Sequence, residues 1–148
     1  VDRENKVICD LKTSTKPYKD ETDLGKHFIQ LSIYAALFEK LEGITIETIR
    51  IVNIVKPTNT IGARVVILEC DANIEYGKQI INEVYQATLL CKKHKDILDM
   101  LFKDNPFSGF TMPSKDKMKE YCDKHIKNFK VITAEDNVVA KVKKNIFA

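Results

Sequence analysis

The sequence predicts an α/β fold: a small mixed sheet, helices packed over it, and a mostly helical C-terminal tail. Three observations carry this. Short β-branched runs occur at residues 6–13, 46–55 and 63–70. Stretches with apolar residues three and four apart separate or follow them, at 22–41 and 71–102. Turn-forming residues punctuate the boundaries: Arg3-Glu4-Asn5, Glu42-Gly43, Pro57 and Asn105-Pro106. Period-two runs between breakers make strands, and a 3.6-residue period makes helices, so their alternation builds a sheet with covering helices.

Residues 6–13 (KVICDLKT) read as the second strand of a hairpin, and the polar loop 14–21 follows. In the helix 22–41, Phe28, Leu31, Tyr34, Ala35, Leu37, Phe38 and Leu41 mark the apolar side, and Gly43 supplies the stop. The runs 46–55 (IETIRIVNIV) and 63–70 (ARVVILEC) are β-branched around the Pro57 turn and predict an antiparallel hairpin. Asp71 is placed to cap a long helix reaching residue 102, with Ile74, Ile81, Val84, Ala87, Thr88 and Cys91 along one side. After the break at 105–109 come a Lys-rich helix at 114–127, a short apolar stretch at 129–133 and a last helix from Ala134.

The length of 148 residues suits one domain, and 44% hydrophobic with 30% charged residues is the composition of a soluble globular protein. There is no secretory signal pattern and no apolar run of the roughly 20 residues that a membrane span needs. Cys9, Cys70, Cys91 and Cys122 form no close pair, which argues against a zinc or iron–sulfur site. Buried free thiols in a reducing intracellular compartment account for them. From Met112 onward nine lysines stand against five acids, a basic extension suited to phosphates or simply to solvent.

The chemistry-bearing segment is Asp10-Leu11-Lys12, expected at the end of the first strand. Residues two apart in a strand share a face, so the carboxylate and the ammonium project side by side. A carboxylate there suits Mg²⁺ or Mn²⁺, with the Leu11 carbonyl as a further oxygen ligand. The ammonium can orient a water and offset charge growing on a phosphate. A salt-bridged surface pair is the alternative. Further on, Gln30 and Tyr34 stand one helical turn apart on one face and can reach a common neighbour. His27, a turn before Leu31, is expected at the surface, and the Phe107–Phe110 loop is expected to act as an anchor.

A strand ending in Asp10-Leu11-Lys12-Thr13-Ser14, followed by a helix bearing Gln30-Leu31-Ser32-Ile33-Tyr34, resembles the RecB-type branch of the PD-(D/E)xK nuclease superfamily, which includes phage-type and mitochondrial genome maintenance exonucleases. The resemblance covers about residues 7–70. It implies a restriction-endonuclease-like mixed sheet flanked by helices and a Mg²⁺- or Mn²⁺-dependent DNA nuclease. It further implies an exonuclease of replication, recombination or repair, acting on single- or double-stranded DNA. Asp10 would then hold the metal with the Leu11 carbonyl, Lys12 would be the catalytic lysine, and Gln30 would line the active site. Thr13, Ser14, Lys16 and Tyr34 would contact the nucleic acid. Residues 1–111 would form the C-terminal part of the nuclease core and 112–148 a basic extension of the same domain.

One departure stands out. The family's first metal-binding Asp lies in a G-x-x-D segment a dozen or so residues before the D-x-K acid. Here Asp2 lies only eight before Asp10, without a preceding glycine, and reads as a hairpin residue. The expectation is that this acid precedes Val1 in a longer protein or comes from another chain. Otherwise the domain is a nuclease-like nucleic-acid-binding module that does not cut, or a structural domain with an accidental D-x-K.

Overall fold

The structure, a computed structural model, describes residues 1–90 and 114–133. Its elements are β1 (Val7–Ser14), α1 (Glu21–Glu42), β2 (Thr48–Val55), β3 (Arg64–Asp71), α2 (Ile74–Leu90), α3 (Lys115–His125) and β4 (Lys130–Thr133). The four strands lie in sequence order in one mixed sheet. β1 and β2 are parallel, joined by the α1 crossover, whereas β2–β3 and β3–β4 are antiparallel.

The α/β expectation holds, and the departures have local causes. The first strand has no full hairpin partner: Asp2 makes one isolated bridge to Val7, and its carboxylate is spent on Asn5 N–H (3.0 Å) and Nδ2 (2.8 Å). Asp2 is therefore a turn residue, and β1 runs beyond Lys12 to Ser14, so the D-x-K pair sits inside the strand rather than at its end. Asp71 does not cap α2. It is the last residue of β3, with its N–H on Lys127 O and its carboxylate on Asn128, while Asn73 Oδ1 accepts from Tyr76 N–H (3.0 Å). The apolar stretch at 129–133 became β4, because pairing with β3 satisfies its backbone. The expected helix beyond residue 90, Cys91, the Phe107–Phe110 loop and the last helix from Ala134 fall outside the described residues.

The core lies between the sheet and α1. Ile49, Ile51 and Val55 of β2 and Leu68 of β3 meet Leu24, Phe28, Leu31 and Ala35 of α1, all at most 1% exposed. Asp20 caps α1 by accepting from the N–H groups of Thr22 and Asp23. Gly43 ends it in the left-handed region (φ 68°), its N–H on Glu39 O. A second stripe of α1, Gly25, Ser32 and Ala36, is also buried, a feature the apolar spacing does not show. Small residues there let other helices approach closely: a Cβ on Gly77 of α2 would stand 2.1 Å from Ser32 O, and one on Gly25 would stand 2.9 Å from Cys122 Sγ of α3. With α1 rotated to use that stripe, Tyr34, Leu37 and Leu41 are left exposed, as are Val84 and Thr88 on α2. Among the described residues, helices cover one face of the sheet. Cys70 and Cys122 are buried free thiols, but Cys9 is exposed on the other face. No helix among the described residues is long and apolar enough to cross a membrane.

Candidate active site

Among the described residues β1 is an edge strand; its apolar start, Val7 and Ile8, is buried, and its remainder alternates between exposed and half-buried residues. Strand alternation places Ile8, Asp10, Lys12 and Ser14 on the face under α1, and Cys9, Leu11 and Thr13 on the other. Lys12 Nζ lies 2.8 Å from Asp10 Oδ2, with both side chains about one-quarter exposed (27% and 25%). Asp10 Oδ2 itself is fully covered and accepts no aligned hydrogen bond, so the lysine balances its charge without satisfying its geometry. A covered carboxylate oxygen without an aligned hydrogen bond is unusual in folded proteins.

The main chain adds a second oxygen. Ser14 O accepts from Lys56 N–H (2.9 Å) and Lys6 O accepts from Glu47 and Thr48, so even-numbered β1 residues direct their backbone groups toward β2. Val7, by contrast, exchanges both of its hydrogen bonds with Asp2 on the other side. By the same alternation Leu11 C=O points to the free edge, away from the ladder. Asp10 and the Leu11 carbonyl thus offer two hard oxygen donors beside one ammonium. That set fits Mg²⁺ or Mn²⁺, which is commonly held by one or two carboxylates plus waters and substrate phosphates. Among the described residues no cluster of three or more His, Cys, Asp or Glu side chains completes it.

A buried polar network lies beside this pair. Asn53, cross-strand partner of Lys12, is fully buried on the otherwise apolar core face of β2. Its Oδ1 accepts from Tyr18 N–H (3.0 Å), and its Nδ2 donates to Ser14 Oγ (2.8 Å). Ser14 Oγ in turn donates to Lys16 O. The β1–α1 loop is therefore tied down at both ends on one carboxamide. Tyr18 stacks on His27 (ring centroids 5.9 Å apart), and Tyr18 Oη and His27 Nε2 share a hydrogen bond of 3.2 Å. His27 is half-buried and not a surface residue. Burial first, and then the charge of Lys12, holds its pKa below the usual histidine range, with Asp10 pulling the other way. The imidazole therefore lies within the electrostatic reach of the D-x-K pair.

The remaining expected site residues are placed less closely. Gln30 and Tyr34 are exposed and bonded to each other, Gln30 Nε2 donating to Tyr34 Oη at 2.9 Å. They continue the His27 stripe of α1 one and two turns on. Among the described residues the Gln30 amide does not bond Asp10 or Lys12. Thr13 is exposed on the opposite face of the sheet, Ser14 is engaged with Asn53, and Lys16 is exposed. Spacing alone does not single out Asn53 or Tyr18. The available signal was a carboxamide occupying an apolar-phase position of IETIRIVNIV. No family model, curated protein or solved structure matches this chain.

Proposed function

We propose that this domain is of the PD-(D/E)xK nuclease type, with a restriction-endonuclease-like core, and that it acts on the phosphodiester backbone of DNA as a metal-dependent exonuclease in replication, recombination or repair. One observation supports the reading above others. A half-buried Asp10–Lys12 pair sits on one face of an edge strand, with a covered carboxylate oxygen that no hydrogen bond satisfies. Asp10 and Leu11 O would hold Mg²⁺ or Mn²⁺. When bound, such an ion lowers the pKa of a water and steadies charge on the leaving oxygen. Lys12 would donate to the attacked phosphate and help orient the water for in-line displacement. Asn53 and Tyr18 keep the loop that carries Lys16 in one position, so a phosphate meets a fixed surface. Gln30 and Tyr34 extend the same helix stripe toward the strand being cut. Free thiols at Cys9, Cys70 and Cys122 agree with a reducing compartment.

The test uses end-labelled single- and double-stranded DNA, with Mg²⁺ or Mn²⁺ and with EDTA. Expected are metal-dependent loss of label and a drop of roughly 10²–10³-fold in Lys12→Ala, with DNA binding retained. Undiminished cutting by Lys12→Ala would remove the catalytic assignment.

A second reading is a nuclease-like module that binds nucleic acid without cutting it. The incomplete ligand set among the described residues favours it. It predicts salt-dependent binding of DNA with no metal-dependent cleavage by the same preparation.

A further inference from the structure

Charge pairing is uneven across residues 1–90. Arg3, Lys6, Lys12, Lys26, Arg50 and Lys78 each stand in an ion pair with an acid. Lys16, Lys19, Lys40, Lys56 and Arg64 are exposed and have no ion-pair partner among the described residues. Apart from Lys40, in the last turn of α1, these unpaired cations border one end of the sheet, where β1 and β2 finish and β3 begins.

Strand register brings one of them, Arg64, to the D-x-K face. Ser14 pairs with Val55, and Val55 with Arg64, so these three form one row across β1, β2 and β3. Arg64 has the phase of Val66, Leu68 and Cys70, the core-facing residues of β3, and therefore projects on the same side as Ser14 and Lys12. Two strand spacings put Arg64 about 10 Å from Ser14 along this row. Lys56 is fixed beside it by its N–H on Ser14 O (2.9 Å). The β2–β3 loop at residues 56–63 is held in a tight turn, with Thr58 N–H on Ile61 O (2.8 Å) and Ile61 N–H on Thr58 Oγ1 (3.1 Å). Nearby acids are already committed. Asp20 caps α1, Asp23 accepts from Lys26 and from Lys19 N–H, and Glu21 lies in the first turn against the helix dipole.

We infer that the β2–β3 loop is a phosphate-contacting arm, in which Lys56 and Arg64, with Lys16, lead a nucleic-acid backbone across this end of the sheet to the Asp10–Lys12 pair. The ends of the row, Ser14 and Arg64, lie about 10 Å apart, close enough to face one strand of nucleic acid, while Val55 between them is buried. Unpaired cations on a fixed loop bind a polyanion without first breaking an ion pair, whereas Lys12 must exchange Asp10 for its target. This inference rests on the nucleic-acid reading of the site and adds the residues that would carry the strand.

The experiment measures fluorescence anisotropy of a labelled duplex, and of the matching single strand, between 50 and 200 mM salt. The proteins compared are the parent, the Lys56→Gln/Arg64→Gln variant and the Lys40→Gln variant. All three positions are exposed, and circular dichroism checks that the variants fold. For the double variant the slope of log affinity against log salt should flatten by about 0.9 per lost contact on duplex DNA, and by about 0.7 on single strands. Over that salt range its loss of duplex affinity should be roughly tenfold smaller than the parent's. Lys40→Gln should follow the parent. A double variant indistinguishable from the parent overturns the arm and leaves the nucleic-acid reading standing. A parent that binds neither DNA at 50 mM salt overturns both.

Discussion

β1 and β2 run side by side in parallel over eight paired positions, yet they are used differently. On the helix-covered face β2 presents Ile49, Ile51, Asn53 and Val55, all at most 1% exposed, while β1 presents Ile8, Asp10, Lys12 and Ser14, buried only at Ile8. The cause is position in the sheet. β2 has a neighbour on each side and α1 above, so a charge there would lose its hydration entirely. Among the described residues β1 has one open side, so an acid and an amine can sit half-covered: dry enough to interact strongly, wet enough to exist. Asn53 marks the transition. It is the one polar residue that the covered face of β2 carries, and it is spent on bracing the polar half of β1.

Substitutions at paired positions test this contrast, beginning with the largest effect. Ile51 and Asp10 are cross-strand partners. Ile51→Ala should cost about 2–5 kcal/mol of unfolding free energy in urea, as a buried large-to-small change does. Asp10→Ala should cost at most about 1 kcal/mol, because the freed Lys12 head can turn to solvent along its flexible stem. Equal costs at the two positions would mean that the edge strand is as dry as the central one. Next, Asn53→Ala removes the partner of Tyr18 N–H and of Ser14 Oγ, and should destabilise by about 1–3 kcal/mol. It should also loosen the 14–20 loop, read as faster amide exchange at Tyr18. A variant that loses stability while Tyr18 keeps its protection would disconnect Asn53 from the loop.

The smallest effect concerns pH and a region far from β1. His125 of α3 stacks on Tyr76 (centroids 4.1 Å) and packs against Tyr121, and burial together with Lys124 and Lys127 holds its pKa below the usual 6.5. The unfolded chain therefore takes up this proton at higher pH than the folded one. Stability from this group is complete above about pH 6.5 and is lost as pH falls toward the folded value. The loss should be under about 1 kcal/mol, since solvent screens a half-buried ring. Urea midpoints between pH 7.5 and 5 measure it, and His125→Gln should remove this increment. An unchanged pH profile in that variant would assign the effect elsewhere.

Much of the scaffold was legible in the chain. β1, β2, β3 and α1 fall within two residues of where β-branched runs and helical spacing put them, because period and turn chemistry are local properties. Asp71 as a cap was misleading, since a terminal strand residue and a helix cap look alike until pairing decides between them. His27 was misplaced for another reason. Helical spacing showed its neighbourhood, but the small-residue stripe of Gly25, Ser32 and Ala36 set the rotation of α1 and turned His27 toward Tyr18. Asn53 was visible only as an irregularity in an apolar run.

By itself, the amino-acid order determined that Asp10 and Lys12 share a face and that an α/β arrangement forms. These follow from alternation and periodicity, which need no distant partner. Only the tertiary structure decided that β1 lies at an edge, that Leu11 C=O is left outside the ladder, and that Ser14 and Arg64 stand in one row. Each of those depends on which strand pairs with which and in what register, and that is settled by long-range packing between segments tens of residues apart.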